Sequence, residues 1–143
     1  MKKSIYLFLL VSSTLSFACS NTKGHVESAS FVLQEGTISK NVPVKEFDNL
    51  IKSKKNALLL DVRTPKEVAA GHLANSTNID FYGSNFKEKL AKLDKNKPVL
   101  VYCHSGHRSG LTMKTMKEMG FKEIYNLETG IMGWKAAGMP VVK

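Results

Sequence analysis

Cysteine is nearly absent from this chain. It has two in 143 residues, Cys19 and Cys103, which excludes a disulfide-stapled scaffold. The length allows one domain with a core of its own, not two. Internal repeats are missing, so a solenoid or propeller is not expected. Long apolar runs are missing too: the run over residues 5–11 is too short to be a comfortable membrane span. Acidic residues are few, 12 against 21 basic, and the formal charge is +9. That balance suits anionic substrates or an anionic lipid surface. The basic residues are nevertheless scattered, with only Lys52, Lys54 and Lys55 clustered and no aromatic interleaving, so no nucleic-acid partner is expected. At 43% apolar and 23% charged, the composition is that of a soluble globular protein.

The first residues stand apart. Two lysines, an apolar run and small residues ending at Ala18 make residues 1–18 a secretory signal peptide. Cys19 follows at the expected cut, an arrangement that resembles a bacterial lipoprotein signal and implies lipidation of Cys19. The chain is then expected to be exported to the periplasm or cell envelope and held to a membrane by its lipid. Residues 19–36, polar and small, read as a tether, and residues 37–143 as the folded domain. With Cys19 lipidated, Cys103 has no intramolecular partner. A solitary thiol in an oxidising compartment is either buried and inert or kept for its reactivity.

Within the domain, short apolar runs alternate with helical stripes. Pro43 opens a helix with Val44, Phe47, Leu50 and Ile51 on one face. Residues 56–62 form a continuous apolar strand, buried on both sides. Thr64, Pro65 and Glu67 spell a capping box for a short helix that stops near Gly71. Residues 76–79 read as a strand, and Phe86, Leu90 and Leu93 as a helical stripe. Residues 97–103 are the second strongly apolar strand. The helix marked by Leu111, Thr115, Met116 and Met119 ends at Gly120, and a strand over 123–127 and a last helix closed by Gly138 complete the pattern. Strands alternating with helices predict an α/β fold, a mainly parallel sheet covered on both faces. Such sheets place ligand chemistry at the carboxyl ends of strands.

Two strand ends draw attention, one near Asp61 and Arg63, the other at Cys103. After Cys103 come His104, Ser105, Gly106, His107 and Arg108, then a helix. Ser105 and Gly106 let successive backbone N–H groups turn inward as a nest, to which the helix start adds its positive end. A thiol at the rim of that bowl is held as thiolate, the nucleophilic form, and the bowl then holds an anionic adduct on sulfur. Arg108 supplies fixed positive charge, and His104 and His107 add to it when protonated.

The segments DVRTPKEVAAGHL, VLVYCHSGHRS and LETGIMGWKAAGMPV, in this order, resemble a single-domain rhodanese over residues 37–142. The resemblance implies a five-stranded parallel sheet with helices on both faces and a ping-pong sulfur transfer. Cys103 would take the outer sulfur of a small anionic donor such as thiosulfate, and cyanide or a thiol would remove it from the Cys103 persulfide. Backbone amides from His104 to Arg108 would cradle that persulfide, and Arg108 would hold the donor's anionic group. No metal or organic cofactor is implied, and no protein partner is indicated. The loop is one residue shorter than in related phosphatases, a bowl sized for sulfur, which sets phosphatase or arsenate chemistry behind sulfur transfer. A non-enzymatic persulfide relay on the same fold is the other alternative.

Other residues have plainer readings. Asp61 either orients the active loop or forms a buried pair, and Arg63 pairs with Glu67 or a neighbouring carboxylate. His72 makes an internal hydrogen bond. Trp134 belongs to the core, and Met113, Met116 and Met119 are helix packing.

Overall fold

A computed structural model describes residues 36–143. The signal peptide, Cys19 and the tether up to residue 35 lie outside the described residues. In chain order the elements are β1 (Ile38–Val42), α1 (Val44–Ser53), β2 (Leu58–Asp61), α2 (Pro65–Ala69), β3 (Thr77–Asn78), α3 (Phe86–Ala91), β4 (Val99–Tyr102), α4 (His107–Glu118), β5 (Glu123–Leu127) and α5 (Gly130–Ala136). The strands form one sheet in the order β1-β5-β4-β2-β3, with every pair parallel.

The two apolar runs become the two inner strands, β2 and β4, where side chains are needed on both faces. Strand periodicity then divides the core in two. Val99, Val101 and Cys103 share one face with Leu60, Leu90 of α3, Met116 of α4 and Phe121. Leu100 and Tyr102 face the other way, against Phe47 of α1 and Ile131 and Trp134 of α5. Each such fully buried large side chain contributes about 1.5–3 kcal/mol relative to exposure. Met113 and Met119 pack against the first cluster. Among the described residues no helix is long and apolar enough to cross a membrane.

The pattern marked four strands and missed β1. That strand carries one buried side chain, Val42, and lies at the sheet edge against β5, so it needs no apolar run. Pro43 is the N-cap of α1 rather than a residue of its first turn. The capping box forms as spelled: the Glu67 backbone N–H donates to Thr64 Oγ1, and the Thr64 N–H donates to Glu67 Oε2 at 3.0 Å. It fixes where α2 begins, and with it the direction of the Glu67 side chain.

Candidate active site

β4 ends at Tyr102 and α4 starts at His107, so residues 103–106 make the whole crossing from strand to helix. Two glycines let the backbone turn this tightly. Gly106 has φ +91°, and a Cβ there would overlap the Glu128 carbonyl; Gly130 has φ +58°, and a Cβ there would overlap the His104 carbonyl. The loop carbonyls are drawn outward. Ile131 N–H donates to Cys103 O at 2.8 Å and Met132 N–H to His104 O at 3.1 Å. Gly106 O accepts from Gly110 N–H at 2.9 Å and from Asn126 Nδ2 at 3.4 Å. Asn126 also donates to Asn41 Oδ1 at 2.9 Å, tying the loop back to β1. With the carbonyls committed outward, N–H groups remain for the inside.

Burial alone would push the Cys103 thiol up; the Ser109 hydroxyl and the amides of Ser109, Ser105 and Gly106 outweigh it, and the thiol lies below its ordinary value. The Ser109 hydroxyl donates to Cys103 Sγ at 3.3 Å. One expectation is corrected: the thiol is not at the rim of the bowl but on its floor, 0% exposed, because residue 103 continues the Val99–Val101 face of β4 into the core.

Arg108 is also placed differently from expectation. Its Nη1 and Nη2 donate to Glu67 Oε2 and Oε1 at 2.8 and 2.6 Å, and the guanidinium lies 5.6 Å from the Tyr82 ring centroid. The guanidinium thus arrives at the mouth already paired. Held first by Arg108 and then by Thr64, against the opposing effect of burial, the Glu67 carboxyl drops to about 2. His104 is 55% exposed with Nδ1 3.9 Å from Glu67 Oε1, and Ser105 and His107 are exposed at the mouth.

Asp61 and Arg63 form a buried pair. Arg63 Nη2 donates to Asp61 Oδ2 at 2.6 Å and to Gly71 O at 2.9 Å, and Nη1 donates to Glu67 O at 3.2 Å. Of the two partners expected for Arg63, the neighbouring carboxylate, Asp61, forms the ion pair, and Glu67 contributes only its backbone carbonyl. The pair braces α2 beneath Glu67, and among the described residues neither side chain bonds Cys103. His72 Nδ1 lies 3.0 Å from Leu73 O, away from the loop. Trp134 is core and donates from Nε1 to Pro140 O.

Ser109, Glu67, Tyr82 and Asn126 were not singled out as site residues. Only Ser109 left a usable signal, as a hydroxyl in the first turn of the helix leaving the loop. Among the described residues no three His, Cys, Asp or Glu side chains gather as a metal site.

Comparison with known proteins agrees with the fold. A family model described as Rhodanese-like domain matches residues 43–137. The thiosulfate sulfurtransferase GlpE of Coxiella burnetii is 37% identical over 83 residues, 58% of this chain and 76% of that protein. A rhodanese-related protein from Thermoplasma volcanium superposes with TM-score 0.63 at 32% identity, covering 72% of this chain and 97% of that one. The polysulfide-sulfur transferase homodimer of Wolinella succinogenes gives TM-score 0.61 at 32% identity, covering 76% and 81%.

Proposed function

The chain belongs to the rhodanese-like family, and from that premise we propose that it moves sulfane sulfur through a persulfide on Cys103. The observation that carries this reading is a buried thiol at the carboxyl end of a parallel strand, which accepts the Ser109 hydroxyl at 3.3 Å and sits at the start of the short loop into α4.

The chemistry follows from that thiol. A thiol held below its ordinary value presents more of the nucleophilic thiolate without a general base. The thiolate attacks the outer sulfur of a donor such as thiosulfate, the S–S bond of the donor breaks, and sulfite leaves with the bonding pair. The new terminal sulfur carries the negative charge, and the inward N–H groups stabilise it as they stabilised the thiolate. Cyanide or a thiolate then attacks that sulfur, departing as thiocyanate or a new persulfide and regenerating the Cys103 thiolate. No net oxidation occurs. The test compares wild type with Cys103→Ala in thiosulfate and cyanide: thiocyanate is expected only with the thiol present, and equal activity in both removes the reading.

The full burial of Cys103 favours a second reading, a relay that holds sulfur until a partner draws it out. A stable sulfur adduct on Cys103 in the mass spectrum, with negligible turnover on small acceptors, is its signature. The sequence further supports export and a lipid on Cys19; radiolabelled fatty acid incorporated by wild type and lost in Cys19→Ser tests that.

A further inference from the structure

All five strands run parallel, so their amino ends share one end of the sheet and their carboxyl ends the other. The cysteine loop lies at the carboxyl end, which leaves the amino end without a part in the chemistry. Backbone bonds hold the loops of that amino end together. Ile38 N–H donates to Lys122 O at 2.9 Å, Lys122 N–H to Lys95 O at 3.0 Å, and Leu58 N–H to Pro98 O at 2.8 Å. The segments leading into β1, β5, β4 and β2 therefore make one contiguous surface. The covalent link between residue 35 and Gly36 lies here too, because β1 starts two residues later, at Ile38, beside Lys122.

That surface is basic. Lys55, Lys92, Lys95, Lys97 and Lys122 are exposed on it, and among the described residues none of them pairs with a carboxylate. Lys52 and Lys54 nearby are matched by Asp48 and Glu123, and Lys117 and Glu118 at the end of α4 offset one another. Asp94 opposes the unpaired lysines, with one oxygen given to the Asn96 N–H. The carboxyl end has no such excess. There Arg63 and Arg108 are bonded to Asp61 and Glu67, and Lys66 and Lys135 stand against Asp80 and Glu128.

We propose that the amino end of the sheet docks on an anionic phospholipid surface, its lysines meeting headgroup phosphates, while the cysteine loop faces away into water. The nearness of a membrane rests on the export and lipidation reading above; the charge of the surface does not. An acyl chain limits how far the domain can stray, and a basic patch beside the point of attachment adds affinity and fixes which end faces the lipid. The length of β4 puts about 15 Å between the two ends, more than the roughly 10 Å over which salt screens the surface potential. Anionic substrates at the loop are thus kept clear of the membrane's own negative charge.

Vesicle flotation provides the test, with the full chain carrying Cys19→Ser so that no lipid contributes. Binding to vesicles containing phosphatidylglycerol should exceed binding to phosphatidylcholine alone, and raising salt from about 0.1 to about 0.5 M should abolish the excess. Lys92→Gln, Lys95→Gln and Lys97→Gln together should weaken binding to the anionic vesicles on the order of a hundredfold, about fivefold per lysine. All three side chains are exposed, so the fold is expected to survive their replacement. Removing the same charge through Lys66→Gln, Lys114→Gln and Lys135→Gln should weaken it by no more than about fivefold, since these lysines lie away from the docking end. Equal losses in the two triple variants, or no preference for anionic vesicles, overturn the proposal. Binding of a polynucleotide through Lys92, Lys95 and Lys97 without any vesicle preference overturns it in favour of a nucleic-acid surface. Failure of the Cys19 acylation test removes the anchor and leaves the vesicle result to stand by itself, which separates the two readings.

Discussion

The Ser109 hydroxyl lies 3.3 Å from Cys103 Sγ and 3.1 Å from the Gly106 carbonyl oxygen, and its single hydrogen serves one of them at a time. A charged sulfur is the stronger acceptor, so ionisation of Cys103 turns the hydroxyl toward it. Replacing Ser109 by Ala removes a donor that only the thiolate fully uses. The pH dependence of Cys103 alkylation by iodoacetamide should show an inflection below the ordinary thiol value of 9.0 in wild type. In Ser109→Ala that inflection should rise by about one unit, the worth of a hydrogen bond to a charged group. Coincident profiles would remove Ser109 from the stabilisation of the thiolate.

Gly106 is irreplaceable for two separate reasons, its positive φ and the Glu128 carbonyl that occupies the space of a Cβ. Gly106→Ala is expected to cost at least about 2 kcal/mol of stability and to turn an amide away from Sγ. Thermal unfolding reads the first effect, and a rise in the thiol pKa of the folded variant reads the second. Gly133→Ala makes a useful contrast: a Cβ there would overlap the Thr129 side chain, outside the loop, so stability should fall with the thiol titration intact.

Removing Asp61 strands a buried guanidinium. Arg63 is 2% exposed, and although burial works against its charge, Asp61 holds the arginine protonated. Asp61→Ala should therefore destabilise by about 3–5 kcal/mol in urea. The double variant with Arg63→Met should recover part of that loss, because no unpaired charge remains inside. A simple sum of the two single effects would contradict the pairing.

Acid should weaken the fold through Glu67. Its carboxyl drops from 4.5 to about 2 on folding, so the folded state holds the ionised form more tightly than the unfolded chain does. The resulting stabilisation is fully present above about pH 4.5 and is lost as pH falls through about 2. In Glu67→Gln that contribution is absent at every pH. Urea midpoints measured down to about pH 2 should fall less steeply for the variant; parallel slopes would show the ion pair to be without effect.

Much of this was legible because it is local in sequence. β2 and β4 announce themselves as apolar runs, the capping box spans four residues, and the loop places thiol, glycine and arginine side by side. What escaped depends on distance along the chain. Glu67 and Arg108 meet across 41 positions, and the cap gave Glu67 a sufficient local explanation. β1 is polar because one neighbour suffices at an edge, and nothing in its residues points to β5. The burial of Cys103 was present in the strand alternation with Val99 and Val101, but the glycine-rich turn after it suggested the surface.

The edge position of β1 also sets the order of assembly. Its sheet partner is β5, the last strand, and the Asn41–Asn126 bond spans 85 positions. The sheet therefore closes only after nearly the whole domain has been synthesised. High contact order of this kind makes for slow folding, with the first strand waiting on the last for its only neighbour.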